Sequence, residues 1–486
     1  MVIILQMNNC MTKPPLPRPH WQPALGMLLL SGLLAGCATP APSAAPATPL
    51  NAERLALPAA KTDTVHDNWW QALGDPALDR LIASARQQAP SLKLAAARVR
   101  EAAALSGLAD SRRGPQLDAN ASIDRERYSA NGLLPPPIGG SYQTLYSASL
   151  DGSWELDLWG KHRAELDAAL GQQRAQALDA RQAELLLTQA VASQYTALQR
   201  TLAQQQLTSA RLKLADSRLQ LLRARASAGL LSADTLRPLE VQQAQLKQQL
   251  SAQQGDAARA RHALAALTGQ APNALDNLTP APLGTTPSLD EAALTAALLG
   301  QRPDVVAQRE RLEAAAHSVK AARAAFYPNV QLSAFIGLSS LDIGQLLQSE
   351  SRMLGIAPAV TLPIFHSGAL RANLSREQAR YDEAVESYNQ TVLDALRQAA
   401  DALSGRDQAR QQLADARQAE DSARRASDAG AARLRAGLSN KLDLLGTQEA
   451  ELVQRAARLD SQATGQLAFV NLNTVLGGGL LAPAQP

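Results

Sequence analysis

Residues 142–156 read YQTLYSASLDGSWEL. Tyr142, Tyr146, Ala148, Leu150 and Trp154 fall on one side of an extended chain, and Gln143, Ser147, Ser149, Asp151 and Ser153 on the other. Period two with one apolar and one polar face suits a strand between lipid and water, and equally an ordinary half-buried sheet. The same alternation runs through 330–338, where Val330, Leu332, Ala334, Ile336 and Leu338 interleave with Gln331, Ser333 and Gly337. With segments near 116–127 and 353–362 this makes four strands, joined by polar or Pro/Gly-rich loops at 129–141 and 339–352. Four strands are too few to close a transmembrane barrel, whose smallest members have about eight. An open edge in lipid leaves unpaired amides at several kcal/mol each. Strands of this kind in a membrane therefore demand oligomerisation.

Outward from the strands the pattern becomes helical. From Ala369 to Ala436 there is no proline, and Gly405 and Gly430 are the internal glycines. At 1.5 Å per residue that stretch is about 100 Å long, more than the diameter of an ordinary domain and suited to the depth of a periplasm. Val385, Tyr388, Val392, Leu396, Ala399 and Leu403 recur at spacings of 3, 4, 4, 3 and 4, a coiled-coil-like seam. The corresponding helix in the first half runs from about His162 to Ala228, and helices at about 235–268 and 440–475 can fold back antiparallel on the two long ones.

The halves match in order and spacing. Gly229-Leu230 aligns with Gly437-Leu438 and Leu236 with Leu444, a repeat of about 208 residues. Each half reads helix, strand, loop, strand, very long helix, tight turn, helix. The organisation drawn is 1–36 an export signal, 37–65 a tether, 66–285 the first repeat, 286–480 the second, and 481–486 a tail. The fold class is mainly α with transmembrane β.

Lys13 and Arg18 precede an apolar run from Ala24 to Ala35, right for a signal h-region and too short for a membrane-spanning helix. The run ends in Leu34-Ala35-Gly36-Cys37, which resembles the lipobox of bacterial lipoproteins. That resemblance implies cleavage before Cys37, a covalent lipid on its thiol, acylation of the new amine and, with Ala38 following, sorting to the outer membrane. Three acyl chains anchor far more firmly than one. The Pro/Ala/Thr-rich segment 38–50 reads as an extended tether. Met1 and Met11 both stand open as the start, since MVIILQMNNC fits an n-region poorly.

Composition narrows the function. Lys and Arg number 47 against 44 Asp and Glu, which gives no sign of a nucleic-acid partner. Only 3% of residues are aromatic, while 46% are hydrophobic, mostly Ala and Leu, as in long helices packed closely over small side chains. The only cysteines are Cys10 and Cys37, so cleavage leaves one, which excludes a disulfide framework or cysteine-built metal site within one chain. The chain has no CxxC, HExxH, GxSxG with triad partners or phosphate-binding loop, and its six histidines are scattered. The expectation is no catalytic residues, no metal, no cofactor beyond the lipid on Cys37, and no enzyme.

NWWQALGDPALDRLI at 68–82, WELDLWGK at 154–161, RPDVVAQRERLEAAAHSVKAARAAFYPNV at 302–330, LPIFHSGALRANL at 362–374 and AFVNLNTVLGGG at 468–479 resemble the outer-membrane factor family. These are TolC-like channels, here of the NodT-type lipoprotein subgroup paired with multidrug efflux pumps. The resemblance implies a homotrimer in which each protomer gives four strands to a twelve-strand barrel and its long helices build a periplasmic α-helical tunnel. It implies a periplasmic adaptor and an inner-membrane pump as partners, and a passive exit duct for drugs or other small compounds. It also implies that the turns Arg225–Ser232 and Arg433–Asn440 lie at the periplasmic tip, making Gly229, Leu230, Ser232, Gly437, Leu438 and Ser439 the adaptor-docking candidates. Read alone, those glycines are helix C-caps, and the Ser and Asn after them are helix starts.

Asp443 aligns with a family aspartate at the constricted entrance. A ring of three such carboxylates would select cations and respond to pH, and Asp443 is equally a solvated residue in the first turn of a helix. Ser439 and Gly446 stand where relatives carry an Arg and a second Asp, and Arg435 is a candidate for a different gate ion pair. Trp154 and Trp159 read either as an interfacial aromatic belt or as plain packing. Arg302-Pro303-Asp304 opens a helix, with Pro303 in the first turn and Asp304 at the positive end of the dipole. Rival functions are a duct for type I protein secretion and a pore-less periplasmic coiled-coil scaffold, which would need no strands.

Overall fold

The structure, a computed structural model, describes residues 47–50, 68–287 and 302–478. The signal segment, Cys37, most of the tether, the start of the second repeat and the tail lie outside the described residues.

After a turn at Trp69–Leu73, two helices follow, α1 (Pro76–Gln88) and α2 (Pro90–Ser111), each with proline in its first turn. Strands β1 (Gln116–Arg127) and β2 (Tyr142–Leu156) lead into α3 (Lys161–Ser227), which turns back as α4 (Arg237–Leu267). The second repeat gives α5 (Pro303–Ala324), β3 (Asn329–Ser340), β4 (Arg352–Thr361), α6 (Ala369–Arg435) and α7 (Lys441–Val475). Both long helices have 67 residues, and the second starts and ends 208 positions after the first. The two long helices therefore repeat at that spacing, whereas α5 and β3 begin 213 positions after α2 and β1. At 1.5 Å per residue each is about 100 Å long.

The strands form one antiparallel sheet in the order β1-β2-β3-β4, and the register runs unbroken through every pair. Pairings such as Ala119 with Leu150, Leu150 with Ile336 and Ile336 with Leu354 gather the apolar positions on one face. That face carries Leu117 and Ile123 of β1, Leu150 and Trp154 of β2, Ile336 of β3, and Leu354, Ile356 and Val360 of β4, all exposed in the protomer. The other face is largely hydrophilic, though Leu145 and Phe335 are exposed on it. Asn120 Nδ2 and Ser149 Oγ donate to Asp151 Oδ2 at 2.8 and 2.6 Å, and the Ser122 and Ser147 hydroxyls meet at 2.9 Å.

The helices pack as two hairpins, α3 against α4 and α6 against α7, joined along α3 and α7. α2 and α5 lie against α3, and α5 also against α6. Where α5 crosses α3, a Cβ on Gly171 would come within 2.9 Å of the Ala314 methyl, so the small side chain permits the approach. The largest buried cluster sits midway along the hairpins and includes Trp69, Trp70, Leu78, Ile82, Val191, Tyr195, Leu198, Leu264 and Phe469. The Trp69 ring meets Trp70 and Phe469 edge-on, with centroids 6.0 and 6.2 Å away.

The seam expected on α6 is corrected in one respect. Val385 and Ala399 are buried, but Tyr388, Val392, Leu396 and Leu403 are only half-buried, and the other buried positions along this stretch are Ala395, Ala402 and Ala409. Close helix approach favours methyl groups over branched side chains, which stand out toward the flanks.

Candidate functional site

The two turns between the long helices and their return helices are built alike. In the first, Gly229 has φ +73°, its N–H donates to Ala226 O at 3.0 Å, and Leu230 N–H donates to Arg225 O at 2.9 Å. In the second, Gly437 has φ +73°, its N–H donates to Leu434 O at 3.1 Å, and Leu438 N–H donates to Arg433 O at 2.9 Å. This paired closure satisfies the last carbonyls of α3 and α6, and it needs glycine because a side chain disfavours positive φ. In such a turn the leucine after the glycine commonly folds back on the helix. Here Leu230 is 75% and Leu438 79% exposed.

Beyond the leucines the two turns diverge. Ser232 Oγ accepts from Asp234 N–H at 3.4 Å, opening a short turn before α4. Ahead of α7, Asn440 Oδ1 accepts Asp443 N–H at 3.1 Å, while Asp443 Oδ2 accepts from Asn440 Nδ2 at 2.8 Å and from Asn440 N–H at 3.5 Å. Ser439 Oγ also reaches Asp443 Oδ2, at 3.5 Å. Asp443 thus closes a capping box in the first turn of α7 and is exposed. Arg435 donates to Ala431 O on its own helix at 3.4 Å, so within the protomer it is not the partner of Asp443. Gly446 faces open space.

Above the tip, ion pairs tie the hairpins together. Arg211 of α3 meets Glu449 of α7 at 2.8 Å, with Gln242 of α4 also donating to Glu449. Higher up, Arg200 and Gln204 both donate to Asp460. Arg458 pairs with Glu420 between α7 and α6.

Where sheet meets helix, both tryptophans satisfy their polar edges. Trp154 Nε1 donates to Arg113 O at 2.9 Å and Trp159 Nε1 to Pro328 O at 2.7 Å, while the Trp159 ring stacks on Tyr327 at 5.0 Å. Asp157 starts α3, accepting from His162 and Arg163 N–H at 3.1 and 2.8 Å.

Two positions carry more than sequence reasoning assigned them. Asp75 caps α1 through Ala77 N–H at 2.9 Å and accepts the Tyr195 hydroxyl at 2.6 Å and Gln199 Nε2 at 3.2 Å, all in the buried cluster. Burial and the adjoining Asp75 carboxylate push the Tyr195 phenol well above its ordinary range. Arg302, 5% exposed, donates to Asp304 at 3.0 and 2.7 Å, to Val475 O at 3.1 Å and to Gln398 Oε1 at 2.9 Å. It therefore locks the start of α5 to the end of α7 and to α6. The signal in the sequence was an arginine directly before a first-turn proline, but its partners lie 96 and 173 positions away.

Among the described residues no group of three or more His, Cys, Asp or Glu side chains is arranged to hold a metal ion, and no helix is long and apolar enough to cross a membrane.

A sheet with one apolar and one largely hydrophilic face, set on two helical hairpins whose long arms run about 100 Å, has the architecture of an outer-membrane channel protomer. The chain belongs to the outer membrane efflux protein family, whose pattern matches residues 81–270 and 294–478. It is 30% identical over 471 residues to the multidrug resistance outer membrane protein MdtP of Escherichia coli O6:H1, covering 93% of this chain and 95% of that one. It superposes on the outer membrane protein VceC of Vibrio cholerae with a TM-score of 0.77 at 31% identity, over 85% of this chain and 99% of that one. The open state of the MtrE outer membrane channel of Neisseria gonorrhoeae gives 0.76 at 25% identity, over 90% and 98%. The protein is an outer-membrane efflux channel that extends into the periplasm, and its family is one of channels rather than enzymes.

Proposed function

We propose that three copies of this chain close into a twelve-strand barrel and a continuous helical tunnel, forming the passive exit duct of a tripartite drug-efflux system. The observation that carries this reading is the open sheet. β1 and β4 each present an unpaired edge while the broad apolar face is left uncovered. Joining β4 of one protomer to β1 of the next is antiparallel, like every pairing inside the sheet, and three repeats remove every edge. Strands of 12, 15, 12 and 10 residues suffice to cross a bilayer, which takes about 9–11 when tilted. The name of MdtP supports drugs or similar small compounds as cargo. An inner-membrane pump then supplies the energy, and a periplasmic adaptor docks at the helical tip on Gly229, Leu230, Ser232, Gly437, Leu438 and Ser439. Two exposed leucines per protomer on rigid, matching turns support that contact.

Asp443 gives the closed trimer a ring of three carboxylates at its periplasmic mouth, favouring cations. Because it also caps α7, Asp443→Asn is the informative substitution. It keeps an acceptor for the capping box and removes the charge.

Cys37 carries the lipid. Ala47 N–H donates to Asp382 Oδ1 at 3.0 Å and Leu50 N–H to Asn389 Oδ1 at 2.8 Å, so the chain at 47–50 runs along α6. Asp382 lies about 20 Å below the membrane end of α6. The ten residues from Cys37 to Ala47 reach at most about 33–36 Å, enough for an acyl chain on Cys37 to enter the near leaflet. Globomycin-sensitive labelling with a palmitate analogue, lost in Cys37→Ala, tests the attachment. Labelling unchanged by that substitution would refute it.

The channel itself is tested by sizing the detergent-extracted protein and recording it in planar bilayers. A trimer giving discrete conductance steps is expected, whereas a silent monomer would favour a pore-less scaffold.

A further inference from the structure

The apolar face of the sheet is not uniform along the membrane normal. Arg125 and Arg127 at the end of β1 and Arg352 at the start of β4 all belong to it. Arg127 pairs with Tyr142, Arg125 with Thr144 and Arg352 with Leu338, positions in phase with Ile123, Leu150 and Leu354. All three arginines sit at the end away from the long helices, which is the extracellular end, and all are exposed. None makes an ion pair among the described residues, although most arginines of the helical region do. Arg125 lies over the Tyr142 ring, 5.7 Å from its centroid, and Tyr142 is itself 64% exposed. The acidic neighbours Asp124 and Glu126 point to the opposite, hydrophilic face. At the other end the apolar face carries Trp154, Leu117 and Val360, with no charged residue among them.

About 27 Å of strand separates Leu117 from Arg125 at roughly 3.3–3.4 Å per residue, which at a tilt of about 35–45° projects to about 19–22 Å along the membrane normal, most of the apolar band of about 25 Å of such barrels. A guanidinium costs about 2–4 kcal/mol at the bilayer midplane and close to nothing at the interface, so the arginines mark the outer boundary. Unpaired, outward-facing guanidiniums at one boundary only are matched to anionic headgroups of one leaflet. Their planar fork grips phosphate through two N–H groups at once. When β4 of one protomer meets β1 of the next, Arg352 of the first comes to the same rim as Arg125 and Arg127 of the second, making three arginines at each of three seams.

We propose that each seam binds the headgroup of a glycolipid carrying more than one phosphate in the outer leaflet, with Arg125, Arg127 and Arg352 as its ligands and Tyr142 holding Arg125 outward. The proposal rests on the barrel reading, and the experiment separates the two. The detergent-extracted full chain is titrated with bisphosphorylated lipid A, its monophosphorylated form and a phosphate-free glycolipid of equal chain length, with bound lipid counted by native mass spectrometry. Conductance is recorded alongside. The parent is expected to retain up to three bisphosphorylated lipids, fewer of the monophosphorylated form and fewest of the phosphate-free one. The combined substitution R125Q, R127Q and R352Q is expected to weaken bisphosphorylated binding about tenfold or more, while the lysine counterparts keep part of it. Parent binding indifferent to phosphate number would overturn the proposal without recourse to any variant, and so would unchanged binding by the glutamine form. A parent that neither trimerises nor conducts would instead overturn the barrel on which the belt depends.

Discussion

At the scale of single residues, Asp75 shows how one carboxylate can join three elements. It caps α1 while taking hydrogen bonds from two side chains of α3, Tyr195 and Gln199. Replacing Asp75 by Ala removes the acceptor of the buried Tyr195 hydroxyl, while Gln199 Nε2 keeps its hydrogen bond to Ala281 O at 2.9 Å, and a loss of about 1–3 kcal/mol is expected, read as a lower midpoint in denaturant. An unchanged midpoint would mean that water takes the place of the carboxylate. Because Tyr195 is held neutral and its pKa lies above the unfolded value, its contribution to stability is complete below about pH 10 and fades as pH rises beyond. Tyr195→Phe should therefore reduce the difference in thermal stability between pH 8 and pH 11, and a variant with the parent's full alkaline loss would contradict this. At the tip, Leu230→Asp and Leu438→Asp change side chains that contact no core, so trimer and melting temperature should be preserved while adaptor cross-linking falls. Cross-linking that survives both substitutions would remove the leucines from the docking surface.

At the scale of elements, much was legible because period and breakers speak plainly in this chain. The strand at 142–156 and the ends of both long helices follow from alternation, a long stretch without proline, and the glycines at 229 and 437. The features that sequence reasoning missed depend on distance along the chain. The reach of Arg302 to Val475 and Gln398, and the burial of alanines rather than larger residues on α6, are set by which helix lies opposite, and no local pattern records that. The adaptor candidates come from the family resemblance, which puts the two turns at the tip, and the structure adds the exposure of the leucines. For Asp443 it adds a competing duty in the cap of α7. The matched turns make a further prediction. Gly229→Ala and Gly437→Ala each force a side chain into positive φ, at a cost of about 1 kcal/mol. That is small against a 67-residue helix. Each single variant should fold and conduct with slightly earlier local opening of the turn by hydrogen exchange, and global unfolding in either would show that the tip bears more of the fold than its exposure suggests.

At the scale of the whole molecule, sheet and helices are incomplete in the same way. The sheet has two open edges and an uncovered apolar face, and the helical layer is two hairpins side by side with no enclosed interior. Both deficits are removed together if three copies close around one axis, and the hydrophilic sheet face, with Asp118, Asn120, Ser149 and Asp151, then lines water. On the proposed reading, three copies enclose one pore whose mouth the Asp443 carboxylates control. The most direct measurement is single-channel conductance and ion selectivity of the purified trimer in planar bilayers, with Asp443→Asn beside the parent. Discrete steps are expected from both, with the substitution raising open probability and lowering the preference for cations. No steps from either protein, in preparations that size as monomers, would contradict the claim.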